Sequence, residues 1–413
     1  MVTRRVLITG ISSPWGGRLA QALERDPEIE AIVGVGPENP RHELHRTDFV
    51  RLDMDPSPLR RILAAAAIDT VVDTRFVTDP MRVPLERARE INLDGTARLL
   101  AACAVPDSPV RKLVFKSTAL LYGCEASAPA FFTESHPHGR SPETAIERDA
   151  IEAEAALGEF AALHPERTVT ILRFTDTLGA ELSSPFLTLL NLPVVPAILG
   201  FDPRCQFIHE DDAVGILAHA ARHTLPGAYN AAADGVLALS EVAGLLGKPL
   251  LPLLPPWGTV FAAGQLRRLG LAVPLELLRQ LRAGRGLDNR RVKASGFSFR
   301  YTTREAVLKL RAHQRLRPLL GSGEDSYRYE REVEEFLRWS PSVQQNVERE
   351  GDEAPGEGGL ESLSENELLG VISSLEIDAL RRLRRYEARH RQRERVLRAL
   401  DHSLARRAAQ ERG

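Results

Sequence analysis

The strongest constraint on the fold lies at the amino terminus, where an apolar run passes through a short glycine-containing turn into an amphipathic stretch. In "RRVLITGISSPWGGRLAQALERDPEIEAIVGVG", residues 6–8 predict a buried strand and residues 32–35 predict the next one. The apolar runs "IDTVVDTRF", "VRKLVFKST" and "TVTILRF" recur further along, separated by helical patterns. Strands that alternate with helices predict a doubly wound α/β fold, a parallel sheet covered by helices on both faces.

The first turn has the pattern of a phosphate-binding loop. Gly10 and Gly16 have the spacing of the outer glycines of Gly-x-x-Gly-x-x-Gly, and Ser13 replaces the central one. Ser13 is a good N-cap, and Pro14 suits the first helical position before Trp15, so a helix can begin there. The free N–H groups and the dipole of such a helix favour a bound pyrophosphate. The alternative is a tight strand-to-helix turn that holds no ligand.

Composition narrows the class of protein. A chain of 413 residues is too long for one simple core, so we expect two or three units. An apolar fraction of 43% with a net charge of −2 gives no general attraction to nucleic acid. The sequence has no leader pattern and no apolar run long enough to span a membrane, and its three scattered cysteines fit neither a disulfide framework nor a zinc cluster. We therefore expect a cytoplasmic protein.

Eight motifs follow one another in a fixed order: "LITGISSPWG", "VRLDMD", "IDTVVDTRF", "REINLDGTARLLAAC", "LVFKSTALLYG", "VTILRF", "CQFIHEDDAV" and "YNAAADG". In this order they resemble the extended short-chain dehydrogenase/reductases of the NAD-dependent epimerase/dehydratase family, which includes UDP-glucose 4-epimerase. The resemblance covers roughly residues 4–312. It implies a Rossmann-type nucleotide-binding domain and a smaller substrate domain, with cofactor and substrate meeting at the carboxyl ends of the strands.

The resemblance implies NAD or NADP as cofactor, a nucleotide sugar as possible substrate, and roles for individual residues. Asp53 would accept a hydrogen bond from the adenine amino group, and Asn92 would brace the sheet near the nicotinamide. Thr118 matches the catalytic Ser/Thr that precedes "LYG", and Asp176 is a candidate for the substrate pocket. The cofactor-binding set implied in this way is Gly10, Ser13, Pro14, Trp15, Gly16, Asp53, Met54, Thr74, Arg75 and Asn92.

Besides the serine in the first turn, the chain departs from the family pattern at the second and fourth strands. Gly36 stands where the family usually has an acid that grips the ribose, and Arg41 nearby weakly favours a 2′-phosphate, so the choice between NAD and NADP stays open. Thr74, Arg75 and Phe76 stand where small residues normally pass the cofactor.

The last departure concerns catalysis. The family has a Tyr-x-x-x-Lys pair in the helix beyond the catalytic Ser/Thr, where tyrosine is the acid/base and lysine lowers its pKa and holds the ribose. In "SPETAIERDAIEAEAAL", residues 141–157, the aligned residues are Ile146 and Ala150, and none of the six tyrosines has a lysine four positions later. A placed proton-transfer group contributes roughly 10²- to 10⁴-fold in rate. One hypothesis is an NAD(P)-binding protein that has lost standard catalysis. The other is an active epimerase, dehydratase or reductase with relocated groups.

Lys116 is the candidate for a relocated lysine. It lies two residues before Thr118 in a strand, so both side chains are expected on one face of the sheet. Burial and the neighbouring Arg75 would lower its pKa. The alternatives are a lysine that reaches solvent and one that pairs with an acid such as Glu134.

The loop "TESHPHGR" raises the question of a metal site. Its Glu134, His136 and His138 could suggest one, but a solvated loop is favoured and no metal is predicted.

The helix that lacks the catalytic pair is predicted to begin at Ser141, with Pro142 as its first residue. The family often dimerises through this helix and the one that contains residues 92–103, so we expect a homodimer. The helix has an apolar stripe that would serve the dimer interface or pack on the sheet: Ile146, Ala150, Leu157 and Phe160.

The expected organisation is a nucleotide-binding domain over residues 1–180, a substrate or cap region over 181–315, a linker over 316–364 and a helical module over 365–413. The apolar, arginine-edged part of the cap region is expected to pack on the sheet, with a membrane surface as the alternative. The module is predicted as helices 365–375 and 377–407. Its arginine-rich second helix suggests an acidic protein or membrane surface as partner, and a self-packed hairpin is the alternative.

Overall fold

The structure, a computed structural model, describes residues 4–124, 128–136, 142–182, 184–254, 275–320, 365–372, 375, 377–387 and 393–410. The chain divides into two compact units, Met1–Ser322 and Gly323–Gly413. No helix within the described ranges is long and apolar enough to cross a membrane.

A seven-stranded parallel sheet forms the centre of the first unit. Its strands are β1 (Arg4–Thr9), β2 (Ile29–Gly36), β3 (Thr47–Arg51), β4 (Thr70–Asp73), β5 (Lys112–Thr118), β6 (Thr168–Phe174) and β11 (Gly227–Ala231). Their order is β11-β6-β5-β4-β1-β2-β3, so the winding direction reverses between β1 and β4. The doubly wound fold predicted from the sequence is therefore confirmed. The edge strand β11 comes from beyond residue 180, which joins the predicted cap region to the central sheet.

Six short strands form three two-stranded pairs outside the central sheet. They are β7 (Asp176–Leu178), β8 (Val195–Ile198), β9 (Arg204–Cys205), β10 (Phe207–His209), β12 (Leu237–Ala238) and β13 (Leu250–Leu254). Strand β10 pairs with β7 and β13 with β8 in parallel, while β12 pairs with β9 in the antiparallel sense.

The described helices of the first unit are α1 (Pro14–Glu24), α2 (Pro56–Ala65), α3 (Leu85–Arg89), α4 (Gly95–Cys103), α5 (Ala145–Leu163), α6 (Pro185–Asn191), α7 (Glu210–Arg222), α8 (Leu239–Leu246), α9 (Leu275–Ala283), α10 (Arg290–Ala294) and α11 (Thr303–Leu320). A π-helical segment, Glu90–Asp94, joins α3 to α4, and a 3₁₀ turn, Ala119–Tyr122, follows β5.

Both faces of the central sheet are buried, as expected of a parallel sheet. On one face Leu113 and Phe115 pack with α2, α4 and α5, and on the other Val114 packs with α1 and α7. A third apolar cluster joins α6, α8, α9 and α11 to β8 and forms the smaller part of this unit. The carboxyl ends of β1, β4, β5 and β6 therefore lie side by side along one edge of the sheet, between two layers of helices.

Helix α5 begins later than the sequence suggested. Its N-cap is Thr144, whose Oγ1 accepts a hydrogen bond from Glu147 N at 3.2 Å while the Glu147 carboxylate accepts one from Thr144 N at 3.2 Å. This reciprocal capping box satisfies two backbone donors at once, which Ser141 and Pro142 cannot do. Pro142 precedes the helix, and Ser141 lies outside the described residues.

The apolar stripe of α5 packs inside the unit. The residues of this stripe belong to the cluster between α5 and the sheet: Ile146, Ala150, Leu157 and Phe160. Because these side chains are already covered, the stripe cannot serve as a dimer interface. Of the two alternatives that the sequence left open, packing on the sheet is the one observed. The homodimer itself stays a prediction.

The second unit is helical, with α12 (Glu365–Val371), α13 (Ile377–Tyr386) and α14 (Glu394–Gln410). Helix α11 runs to Leu320, past the expected start of the linker, and residues 321–364 lie outside the description. The single helix expected over 377–407 is instead two. Leu383 and Leu400 share one apolar cluster, whereas a continuous helix would hold them about 26 Å apart. The Arg384–Asp401 ion pair also requires the chain to fold back, as in a self-packed hairpin.

The capping box of α5 can be tested by substitution. Thr144→Ala removes the side chain that accepts from Glu147 N, so we expect the free energy of unfolding to fall by about 1 kcal/mol. Urea unfolding followed by circular dichroism measures this change. The matched control is Glu159→Ala, an exposed position of the same helix, for which we expect a change of at most about 0.5 kcal/mol. Equal effects of both substitutions would contradict this assignment of the helix start.

Candidate functional site

The turn between β1 and α1 closes tightly around its glycines. Gly10 has a φ of +77°, and a Cβ added to Gly16 would lie 2.3 Å from Gly10 O. Ser13 Oγ donates to Gly10 O at 2.7 Å and accepts from Gly16 N at 3.1 Å. The helix thus begins directly against the turn, in the cradle that a pyrophosphate-binding loop requires.

The N-terminus of α1 offers fewer free backbone N–H donors than a loop built only from glycines would. Pro14 has no N–H, Gly16 donates to the Ser13 side chain, and Gly17 donates to Ser13 O at 3.0 Å. Within the described ranges, Ser12 N and Trp15 N have no hydrogen-bond partner. These two N–H groups fit a pyrophosphate, so the residues present fit the dinucleotide that the sequence suggested.

The end of β2 lacks a carboxylate, as the sequence indicated. A Cβ on Gly36 would lie 2.7 Å from Ser12 Oγ, and Ser12 Oγ donates to Glu38 O. Arg41 is exposed, and so is Asp53, which leaves both able to meet the adenosine half of a ligand. The arrangement therefore does not select between NAD and NADP.

Met54, next to Asp53, is buried in the core and has a φ of +35°. Its side chain packs with the apolar cluster that also holds α2, α4 and α5. Met54 thus anchors the segment after β3 and leaves Asp53 at the surface.

Arg75 lies beside the turn and is held by Asp73. Its Nε donates to Asp73 Oδ1 at 2.9 Å and its Nη2 to Oδ2 at 2.7 Å, while Thr9 Oγ1 donates to Oδ1 at 2.7 Å. Burial disfavours the charged carboxylate, but the Arg75 guanidinium and these hydrogen bonds outweigh it and lower the pKa of Asp73. A Cβ on Gly10 would lie 2.8 Å from Arg75 Cγ, and one on Gly95 would lie 2.5 Å from Arg75 Nη1. Arg75 therefore fills the space between the turn and α4.

Thr74 and Asn92 fix the segment that follows β4. Thr74 Oγ1 donates to Thr9 O at 2.7 Å. Asn92 is buried in the π-helical segment, where its Oδ1 accepts from Val77 N at 2.7 Å and its Nδ2 donates to Val77 O at 3.1 Å. Both residues thus position the backbone beside the cleft.

The residues aligned with the catalytic pair are part of the core. Ile146 and Ala150 have no exposed surface and contact apolar side chains. Thr118 ends β5, and its Oγ1 accepts from Leu120 N at 3.2 Å, which caps the 3₁₀ turn. The structure therefore places no ionisable side chain at either position of the pair.

Three acidic residues of α5 that the sequence analysis did not single out are buried and paired with arginines. This was missed because a hydrophobicity pattern assigns acids to the solvent side of a helix. The pairs are Glu147–Arg279 at 2.6 Å, Asp149–Arg89 at 3.0 Å and Glu154–Arg173 at 2.7 Å.

Tyr122, in the 3₁₀ turn after Thr118, is half-buried and joins a network of buried polar side chains. Arg173 Nη1 donates to the Tyr122 hydroxyl at 2.7 Å, and the hydroxyl donates to Asn230 Oδ1 at 2.8 Å. Ser117 Oγ donates to the Glu154 carboxylate that binds Arg173. Burial raises the pKa of Tyr122 to about 12, against the opposing effect of Arg173. The Tyr122 hydroxyl is thus used in structural hydrogen bonds, and with this raised pKa it is a poor replacement for the missing acid/base tyrosine.

Lys116 is buried at the carboxyl end of β5. Its Nζ donates to Phe76 O at 3.0 Å and lies 4.7 Å from the centre of the Trp15 ring. Burial lowers its pKa to about 8, and the Asp73 carboxylate opposes this shift. The expectation that Arg75 contributes does not hold, because the Arg75 guanidinium is paired with Asp73.

Neither structural alternative for Lys116 holds. Only 4% of the residue is exposed, so it does not reach into solvent. Glu134 is not its partner, since Glu134 Oε1 accepts from Asn230 N at 2.9 Å. Lys116 and Thr118 do point to the same face of β5, while Ser117 points to the other face and meets α5.

Asp176 lies beside two residues that the sequence did not single out, Gln280 and Arg285. Its carboxylate accepts from Gln280 Nε2, and burial raises its pKa, opposed by Arg285. Arg285 is 6% exposed, donates to Gly123 O at 3.3 Å and forms no ion pair within the described ranges. A buried guanidinium of this kind suits an anionic ligand. The nearest sequence signal was its place in "RAGRGLDN", a run without recognisable spacing.

The loop with possible metal ligands holds no metal cluster in its described part. Glu134 is used by Asn230, and His136 packs edge-on against Phe132 at 4.9 Å between ring centres. His138 lies outside the described residues. No group of three His, Cys, Asp or Glu side chains that could hold a metal occurs in the parts of the chain that were described.

Comparison with known proteins matches this chain to one family. The model of the NAD dependent epimerase/dehydratase family matches residues 6–232. An uncharacterized protein of Mycobacterium tuberculosis (strain ATCC 25618 / H37Rv) is 32% identical over 309 residues, which are 73% of this chain and 81% of that protein. The UDP-glucose 4-epimerase of Yersinia pestis is 32% identical over 156 residues, 37% of this chain and 42% of that enzyme.

A solved structure shares the fold. The UDP-glucose-4-epimerase from Stenotrophomonas maltophila, with bound NAD and formylated UDP-arabinopyranose, matches with a TM-score of 0.59 and 17% identity, covering 76% of this chain and 98% of that one.

The tight turn predicts a strong effect of a single methyl group. Gly16→Ala places a Cβ against the backbone of Gly10, so we expect a loss of about 1 to 3 kcal/mol in stability and weaker dinucleotide binding. The control is Gly158→Ala in α5, where a Cβ has open space and the helix should gain about 0.5 to 1 kcal/mol. Thermal unfolding and calorimetry measure both. A Gly16→Ala protein as stable as wild type would refute the close approach.

Buried Lys116 predicts a pH-dependent stability. Its pKa is about 8 when folded and about 10.5 in the unfolded chain, so between these values the unfolded chain binds more protons and stability rises with pH. In urea titrations, the stability of wild type relative to Lys116→Met should therefore increase by about 2 to 3 kcal/mol from pH 7 to pH 10.5. The exposed Lys293→Met should show no such trend. A pH-independent difference for Lys116→Met would contradict the burial of a lysine amine.

Proposed function

Because the chain belongs to the NAD-dependent epimerase/dehydratase family, we propose that it binds NAD or NADP without the family's standard acid/base catalysis and acts as a binding or regulatory protein. The observation that carries this proposal is the complete burial of Ile146 and Ala150 in the apolar cluster between α5 and the sheet. Neither residue can exchange a proton with a substrate. A proton-transfer group contributes roughly 10²- to 10⁴-fold in rate, so its loss disables the standard reaction.

Cofactor binding depends on a different part of the cleft. Gly10 and Gly16 keep the closed turn, and Ser12 N and Trp15 N are available to a pyrophosphate. Related folds were solved with the cofactor, such as the UDP-glucuronic acid 4-epimerase from Bacillus cereus in complex with NAD. Binding through backbone groups does not need the missing pair, which supports a protein that keeps the ligand and loses the reaction.

The polar side chains around Asp176 support a second ligand. The buried guanidinium of Arg285 makes no ion pair within the described ranges, although its charge acts on the nearby Asp176 carboxylate, and Gln280 adds a polar side chain. Such a group suits a phosphate-containing molecule, and a nucleotide sugar is the substrate class of this family. We propose that a nucleotide sugar binds there as a second ligand.

A second candidate function is an enzyme with relocated groups. The buried amine of Lys116, with its pKa near 8, favours this candidate, because a lysine titrating near neutral pH can exchange protons with a substrate. In that case turnover would depend on Lys116 rather than on a residue of α5.

Binding and turnover can be separated experimentally. Calorimetry with NAD and NADP should show that at least one dinucleotide binds, and an assay with UDP-glucose should show no epimerisation above the blank. A 4-epimerase that has the Tyr-x-x-x-Lys pair is the positive control for the assay. Failure to bind either dinucleotide would refute the proposal. Turnover that disappears in Lys116→Met would replace it with the second candidate.

A further inference from the structure

The cleft holds a buried cation beside the cofactor turn. Lys116 is 4% exposed, and its Nζ is fixed by Phe76 O, just beyond the end of β4. The same Nζ lies 4.7 Å from the centre of the Trp15 ring, in the first turn of α1. The Trp15 ring in turn meets Phe174 edge-on, with 5.1 Å between ring centres. The ammonium group is therefore held between the ends of β4 and β5 and the start of α1.

The position of this cation in the sheet determines which half of a dinucleotide it meets. In a doubly wound sheet the dinucleotide lies across the point where the strand order reverses, with its pyrophosphate at the first helix and its adenosine on the side of β2. Here the order reverses between β1 and β4. The other half of the ligand, the nicotinamide, then lies over the ends of β4 and β5, where Lys116 is placed.

The neighbouring charges do not cancel the ammonium. Among the described residues, Asp73 is the carboxylate that acts on Lys116. That carboxylate is already bound by the Arg75 guanidinium through two hydrogen bonds. Two cations and one carboxylate leave an excess positive charge below the nicotinamide half of the cleft. With a pKa of about 8, Lys116 carries its proton at pH 7 and loses it at pH 9 to 10.

We propose that this site distinguishes the redox forms of the dinucleotide and binds the reduced form in preference to the oxidised form. This inference rests on the proposed function. The oxidised nicotinamide ring is a cation and the reduced ring is neutral, while the rest of the molecule is the same. A buried ammonium group repels the oxidised ring, and in the low-dielectric interior this repulsion is far stronger than in water. A protein without the acid/base pair would then report the redox state of the nucleotide pool.

A lysine that simply held the pyrophosphate would behave differently. It would favour both redox forms equally and would also favour ADP-ribose, which has the pyrophosphate and lacks the nicotinamide ring. Lys116 Nζ is bound to Phe76 O beyond β4 and contacts the Trp15 ring. Among the described residues, it makes no hydrogen bond to the turn that carries the Ser12 and Trp15 N–H groups, so its effect should depend on the nicotinamide ring. Comparing the three ligands therefore separates the two roles.

The experiment is calorimetric titration of the full chain with NAD⁺, NADH and ADP-ribose at pH 7 and pH 9.5, with the 2′-phosphorylated forms if NADP is preferred. We expect NADH to bind at least about tenfold more tightly than NAD⁺ at pH 7. At pH 9.5 the ratio should fall toward one, because Lys116 is then mostly neutral and the nicotinamide rings do not titrate. This comparison needs no variant, so it stands even if a substitution disturbs folding.

Lys116→Met should bring the NADH and NAD⁺ affinities within about twofold of each other and leave ADP-ribose binding unchanged. The matched control is Lys112→Met, at the opposite end of the same strand, where Nζ donates to carbonyls at the end of α7, and it should keep the preference. Lys293→Met is a second, exposed control.

Equal affinities for NAD⁺ and NADH in the wild-type protein at pH 7 would overturn this inference and leave the proposed function standing. So would a Lys116→Met protein that loses affinity for all three ligands to the same extent. Absence of binding by all three ligands would instead overturn the proposed function.

Discussion

The geometry of the cleft depends on one buried ion pair, that between Glu154 of α5 and Arg173 of β6, at 2.7 Å. Ser117 of β5 donates to the same carboxylate, and Arg173 also binds the Tyr122 hydroxyl. The pair therefore fixes the ends of two neighbouring strands and the helix that covers them. Removing one partner would leave a buried charge uncompensated, which costs about 3 to 5 kcal/mol. Lys116 and Thr118 flank Ser117 in β5, so the hydrogen bond between Ser117 and the Glu154 carboxylate also fixes their positions.

The same kind of contact is repeated around α5. Glu147 ties the helix to Arg279 of α9, and Asp149 ties it to Arg89 of α3 and to Asn92. In the family this helix supplies the acid/base pair, but here its polar side chains hold arginines from three other elements. The helix thus connects the central sheet to the smaller part of the unit through buried ion pairs.

The alternation of apolar runs was sufficient to predict the parallel sheet, and the Ser13 cap followed from local residue preferences. The start of α5 could not be predicted in this way. Ser141 and Thr144 are both good N-cap residues, and only the reciprocal hydrogen bonds with Glu147 decide between them. The partners of Lys116 and of the buried carboxylates could not be predicted either. The arginine partners of the carboxylates lie 19 to 132 residues away in sequence, and only tertiary packing brings each pair together. The sequence offered the fold-back in the second unit only as one alternative, the self-packed hairpin, because its contacts also depend on tertiary packing.

The closed core around Ile146 and Ala150 has a consequence for any attempt to introduce the acid/base pair into this protein. Neither side chain has exposed surface, so a larger residue at either position must displace packed neighbours, typically at about 1 to 3 kcal/mol. A tyrosine and a lysine are useful only together, and each alone would be a burden. Introducing the pair one residue at a time would therefore pass through less stable proteins with no gain in activity. Only a simultaneous replacement of both residues, with repacking of their neighbours, avoids such an intermediate.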